Sequence, residues 1–177
     1  MNKEELIQRL LKADEELSLL VEDKQRIKVV IVGGSALIIN NVISRSTMDI
    51  DVIGLYQNLD AAFSKYDINS MSNSFIDSLA ENYDSRLVKL ELKTKVLDYY
   101  TLSIEDLVIM KLHSSRKKDY LDATNEEVIK TLNWTLLEKI VDDGELDNTF
   151  NERKYKEFLN KFNEYIKEYK KWENKHF

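Results

Sequence analysis

Asp49 and Asp51 are separated by one isoleucine, and paired carboxylates at that spacing suit cation chemistry. Alternate side chains of a strand share a face, so the two acids point one way while Met48, Ile50 and Val52 point to the core. Carboxylates about 7 Å apart on one face repel each other unless a cation lies between them. Mg²⁺ suits the pair, because it takes hard oxygen ligands and keeps positions open for substrate phosphates. Taken alone, Asp-x-Asp also fits a solvent-facing strand with two ordinary acids. Upstream, Gly33-Gly34-Ser35 follows the apolar run 28–32. Adjacent glycines let the backbone approach a phosphate closely, and a helix starting there presents free N–H groups to it. Ser35 adds a hydroxyl or caps that helix, whereas a plain strand-to-helix turn needs only one glycine. Arg45, Ser46 and Thr47 lead into the acid pair, where they ligate phosphate or brace the strand.

A second group lies downstream. Lys111 sits in a helix that is otherwise apolar on one side, so its stem can be buried while its ammonium reaches a phosphate. Asp119 and Asp122 are i,i+3 neighbours on one helix face, and Asp119 is also spaced to pair with Arg116. The chain has no cysteine, which excludes a disulfide scaffold, a thiolate metal site and a cysteine nucleophile. Its two histidines, His113 and His176, are too few for a His-rich site. Any metal is expected to be held by oxygen.

Gly33-Gly34-Ser35-Ala36-Leu37 followed by Arg45-Ser46-Thr47-Met48-Asp49-Ile50-Asp51 resembles the signature of the DNA polymerase β-like nucleotidyltransferase superfamily. The R-x-T-x-D-I-D form is most similar to the AbiEii-type branch, which includes toxin components of toxin–antitoxin systems, and to minimal bacterial nucleotidyltransferase-like proteins. Glu105-Asp106-Leu107, Lys111-Leu112 and Arg116-Lys117-Lys118-Asp119-Tyr120-Leu121-Asp122 are similar to the family's downstream motif. The resemblance implies that Gly33, Gly34 and Ser35 cradle a triphosphate and that Asp49 and Asp51 bind two metal ions. It implies that Lys111 neutralises phosphate charge, and that Asp119 and Asp122 organise the nucleotide pocket or neutralise Lys111. It also implies a third carboxylate on a neighbouring strand, acting as general base or as a ligand to the second metal. Glu91 ranks slightly ahead of Asp98 for that place.

The elements that must position these residues follow from periodicity. Residues 3–21 carry Leu6, Leu10, Leu17 and Leu20 at helical spacing. A strand is expected over 28–32, a helix over 35–42, a strand over 48–55 and an amphipathic helix over 72–82. Strands 86–92 and 96–100 should pair as a hairpin across Lys93-Thr94-Lys95. Ser103 with Asp106 reads as a capping-box-like start, and Asn125 and Asn133 stand where further N-caps would. Residues 152–172 form one long aromatic stripe. It is expected to pack on the N-terminal helix or to form a dimer or antitoxin interface, with base stacking as the alternative. The fold class is α/β (α+β): a small mixed sheet flanked by helices, with a helical C-terminal half. We expect one domain over 1–177, with the sheet core in 1–102 and a helical extension in 103–177.

The 177 residues include 26 basic and 32 acidic side chains, a net charge of −6. An apolar share of 43% is too high for a disordered chain. No apolar run approaches the roughly 18 residues of a membrane span, and Met1-Asn2-Lys3-Glu4-Glu5 does not start a signal peptide, so a cytoplasmic protein without a membrane partner is expected. Residues 150–177 carry 8 basic and 5 acidic side chains, against 18 and 27 in residues 1–149. The expected activity is Mg²⁺-dependent transfer of a nucleoside monophosphate from an NTP to a hydroxyl acceptor, with tRNA as the acceptor of a toxin-type enzyme. The alternatives are an antibiotic adenylyltransferase and a degenerate module that binds nucleotide or a protein partner without catalysis. An antitoxin or a second copy of the chain are the expected protein partners.

Overall fold

The structure is a computed structural model and describes residues 1–21, 26–54, 59–70 and 76–176. Helix α1 (Lys3–Leu17) opens on a capping box, in which Asn2 accepts from the Glu5 amide and Glu5 accepts from the Asn2 amide. Leu6, Leu10, Ala13 and Leu17 form its buried stripe. The helix stops short of residue 21, and Leu19 and Leu20 lie exposed beyond it.

Strand β1 (Ile27–Val32) runs into helix α2 (Gly33–Ile39) without an intervening loop. After it come β2 (Ile50–Ile53), α3 (Asp60–Ser64), β3 (Ile68–Ser70), β4 (Val88–Lys89) and β5 (Leu97–Thr101). The sheet order is β3-β2-β1-β5-β4. β1 pairs antiparallel with β2 and parallel with β5, while β2–β3 is parallel and β4–β5 antiparallel. Val29 to Val32 are buried at every position, as a central strand covered on both faces requires.

This is the mixed sheet expected, with several local differences. β2 starts at Ile50, so Met48 is 89% exposed instead of pointing to the core. Leu55, the expected end of that strand, lies outside the described residues. So do residues 72–75 of the helix expected over 72–82; residues 77–82 are turn and bend rather than helix, leading to a single 3₁₀ turn at Tyr83–Arg86. The strand expected over 86–92 contracts to two residues, but the hairpin pairing holds, with Val88 opposite Thr101 and Lys89 opposite Tyr100. Elements α3 and β3 carry no clear periodic pattern, because five and three residues are too few to set one.

The second half is helical throughout: α4 (Ile104–His113), α5 (Lys117–Ala123), α6 (Glu126–Thr131), α7 (Trp134–Asp142) and α8 (Glu152–His176). Ser103, Asn125 and Asn133 each accept a backbone N–H as the N-caps of α4, α6 and α7. The aromatic stripe of α8 is occupied, but not by α1. Tyr169 stacks on Trp134 of α7 at 4.1 Å, and Phe158 meets Phe150 edge-on at 5.4 Å. Phe158, Phe162 and Tyr165 are buried, which removes these rings from base stacking.

Two buried acids tie distant segments together, and the second joins the sheet half to the helical half. Asp14 of α1 accepts the backbone N–H groups of Lys95, Val96 and Leu97 at 2.6, 3.0 and 2.8 Å. Asp106 of α4 takes a forked pair of hydrogen bonds from Arg86, both 2.8 Å, and Arg86 also reaches Glu145 at 2.9 and 3.1 Å. None of the helices among the described residues is long and apolar enough to cross a membrane.

Candidate nucleotide site at the end of strand β1

β1 ends at Val32, which lies opposite Asp51 of β2, so the antiparallel register brings the acid pair beside the Gly33-Gly34 turn. The two glycines are needed for different reasons. Gly33 has φ +66°, a left-handed conformation, and a Cβ there would stand 3.4 Å from Asp51 Oδ2. A Cβ on Gly34 would run into the Arg45 guanidinium. Arg45 is in turn pinned to Asp122, with Nε donating to Oδ1 at 2.9 Å and Nη2 to Oδ2 at 2.7 Å. Gly34 thus clears space for an arginine that holds the segment before β2 against α5.

Asp122 belongs to a buried cluster. Lys111, nine-tenths buried on α4, donates to Asp119 Oδ1 and, at 2.9 Å, to Asp122 Oδ2. Asp119 also accepts from Ser114 Oγ and Arg116 Nε, both 2.6 Å. Burial by itself would raise the Asp119 carboxyl, but the bonds from Lys111, Ser114 and Arg116 outweigh it and hold it below the ordinary carboxylate range. Asp122 is held low in the same way, its burial outweighed by Arg45 and Lys111. Both acids therefore remain charged partners of Lys111.

Asp51 behaves oppositely. Burial, and then the charge of Asp49, push its carboxyl above the ordinary value, and Asn69, Arg116 and Lys111 only partly offset this. Asp49 precedes the strand and is exposed. Its Oδ2 accepts from Asn69 Nδ2 at 3.3 Å, and Thr47 Oγ1 lies 3.4 Å from its Oδ1. Asn69 is directly opposite Asp51 in the β2–β3 register. On the strand beside the acid pair stands an amide, not a third carboxylate.

Neither expected third acid reaches the pair. Asp98 sits in β5 opposite Lys28, toward the other end of β1, and is engaged by Arg26 at 2.8 Å and Lys89 at 3.1 Å. Glu91 is exposed and follows β4, three strands from β2, a separation of about 14 Å at ordinary strand spacing. The sheet order places both apart. Among the described residues no group of three or more His, Cys, Asp or Glu is arranged to hold a metal ion. Ser35 is buried and its hydroxyl donates back to the Val32 carbonyl at 3.0 Å, so it braces the turn.

Asp51, Gly33 and Gly34 line a cavity of about 380 Å³. Its other walls bring in Lys111, Arg116 and Asp119, and also His113 and, from α8, Lys154. The His113 ring packs 4.4 Å from Phe150, and burial together with the charges of Lys154 and Lys161 drives its pKa below the ordinary value. Asn69 and Lys154 carry no sequence signal, since an asparagine in a three-residue strand and one lysine among many on a long helix look ordinary. His113 was visible only as an isolated helix residue.

The cavity thus has Asp51, the inner member of the acid pair, at one wall and cationic side chains at the others, an arrangement that accepts a metal-bound polyanion. No curated protein and no solved structure matches the chain. A family model described as "Nucleotidyltransferase of unknown function (DUF6036)" matches residues 8–170, a span that runs from α1 into α8 and takes in each of these cavity residues, and the chain belongs to that nucleotidyltransferase family.

Proposed function

We propose that this protein is a Mg²⁺-dependent nucleotidyltransferase that moves a nucleoside monophosphate from an NTP to a hydroxyl acceptor. The observation that carries the reading is Asp51, a half-buried carboxylate repelled by Asp49, on the wall of a cavity whose other walls bear Lys111, Arg116 and Lys154. Asp49 and Asp51 fit the metal, since two carboxylates without a fixed cation between them gain from a divalent ion that leaves positions for phosphate and water. When bound, Mg²⁺ would supply charge neutralisation at the α-phosphate. The oxygen of the acceptor hydroxyl bonds to the α-phosphorus, the α–β anhydride bond breaks, pyrophosphate leaves and the hydroxyl proton is released. Gly33 leaves the cavity wall beside Asp51 free of a side chain, Gly34 makes room for Arg45, and the Arg45–Asp122 pair holds the segment entering β2 in place. Since phosphoryl transfer depends on positioning and charge, loss of either aspartate should be severe.

We place the enzyme nearest the AbiEii-type branch on its R-x-T-x-D-I-D motif, and tRNA is the first acceptor to test. The basic balance of residues 150–177 supports a polyanionic acceptor. The test is incorporation of labelled NTP into tRNA with Mg²⁺ present. An Asp49→Asn, Asp51→Asn double variant should retain under about 1% of wild-type incorporation; equal activity sinks the reading. The amide of Asn69 beside the acid pair favours a second reading, a module that binds Mg²⁺–NTP without turnover, identified by binding in calorimetry without pyrophosphate release.

A further inference from the structure

Phosphate neutralisation falls to Lys111 by family resemblance, yet in this chain that ammonium is committed to two carboxylates, Asp119 and Asp122. A buried lysine so engaged has little net charge to offer a substrate. The cations that remain at the cavity are Arg116 and Lys154. Arg116 gives its Nε to Asp119, and its guanidinium makes no other hydrogen bond among the described residues. Lys154 has one ion pair among them, with the partly exposed Glu157 at 3.5 Å.

The placement of Lys154 is built into the packing. Lys154, Phe158 and Lys161 recur at i, i+4 and i+7, on one face of α8. Phe158 is fully buried against Phe150, whose ring also meets His113 at the end of α4. Lys161 Nζ donates to the carbonyl of Ser114, the residue that ends α4. The first turns of α8 are therefore fastened beside the cavity at two points, and the lysine ahead of them reaches its wall. Burial is the main cause of the depressed pKa of His113, and the charges of Lys154 and Lys161 add to it against Asp77 and Glu157, as expected of two lysines on this side of the cavity.

We propose that Lys154, together with Arg116, binds the terminal phosphates of the nucleoside triphosphate, and that Lys111 is a positioning residue that holds Asp119 and Asp122. This deepens the nucleotidyltransferase reading and rests on it. Helix α8, the last in the chain, then becomes part of the substrate site, and the cavity selects triphosphates over monophosphates.

The experiment is calorimetric titration of the full chain with inorganic tripolyphosphate, ATP and AMP, each with Mg²⁺. Tripolyphosphate removes any dependence on the base. Wild type should bind tripolyphosphate and ATP, and Lys154→Ala should weaken both by roughly tenfold or more while AMP affinity changes less than twofold. Lys154→Arg should restore the affinity, and the melting temperature of all three forms should agree, since Lys154 makes no buried bond. If wild type binds both polyphosphates and Lys154→Ala binds them equally well, the proposal falls while the nucleotidyltransferase reading stands. If wild type binds neither, both fall.

Discussion

At the scale of single residues, the acid pair and the glycine turn were legible because their chemistry depends on spacing that the chain itself fixes. One intervening residue keeps Asp49 and Asp51 near each other, although only Asp51 lies in β2 and Asp49 precedes it. What the pair touches is a tertiary matter, and there the reading changed: Asn69 rather than Glu91 or Asp98 is its neighbour, and Arg45 fills the space above Gly34. Asp51 gives a stability prediction. Its folded carboxyl lies above the ordinary value, so the folded chain holds that proton more tightly than the unfolded chain does. The resulting stabilisation is complete below the unfolded value near 3.8 and is lost as pH rises through the folded value. At neutral pH without metal, Asp51→Asn should therefore melt above wild type, by roughly 2 °C. The gap should close toward pH 4, and millimolar Mg²⁺ should raise the melting temperature of wild type alone. A lower melting temperature for the metal-free variant in differential scanning fluorimetry would contradict the proposed repulsion.

At the scale of elements, the helices announced themselves through caps and periodicity, whereas the short strands did not. Ser103, Asn125 and Asn133 cap the helices they were expected to cap. β3 escaped notice because its position is set by pairing with β2, and α3 because five residues are too few to show a period. The downstream motif divides by element. Asp106 and Glu105 serve the architecture, one binding Arg86 and the other accepting the Asn133 amide at 2.8 Å, while Lys111, Asp119 and Asp122 form the cluster behind the cavity. The Asp106 side chain is 0% exposed, so removing Arg86 leaves a buried charge without its partner. Arg86→Ala should cost about 3–5 kcal/mol in urea denaturation, and a loss below about 1 kcal/mol would show that water or another group replaces the guanidinium.

For the molecule as a whole, fold class and the uneven charge were readable from composition and pattern, but the packing of the C-terminal helix on α4 and α7 was not. An aromatic stripe specifies that something must cover it without saying what, and here α4 and α7 do so instead of α1. That choice carries α8 to the cavity. The buried carboxylate of Asp14 has a comparable reach, since it joins residues 81 to 83 positions apart. Its three acceptor bonds hold the entry to β5 against α1, and β5 is the strand that pairs parallel with β1. Parallel pairing across so long a stretch is slow to find, because chain closure must be completed before the contacts reward it. Asp14 then acts on time as well as on stability, as a latch that shortens the search for β5. Asp14→Ala should slow refolding in stopped-flow measurements by severalfold and speed hydrogen exchange at the amides of 95–97; unchanged refolding would mean the latch closes only after the sheet has formed.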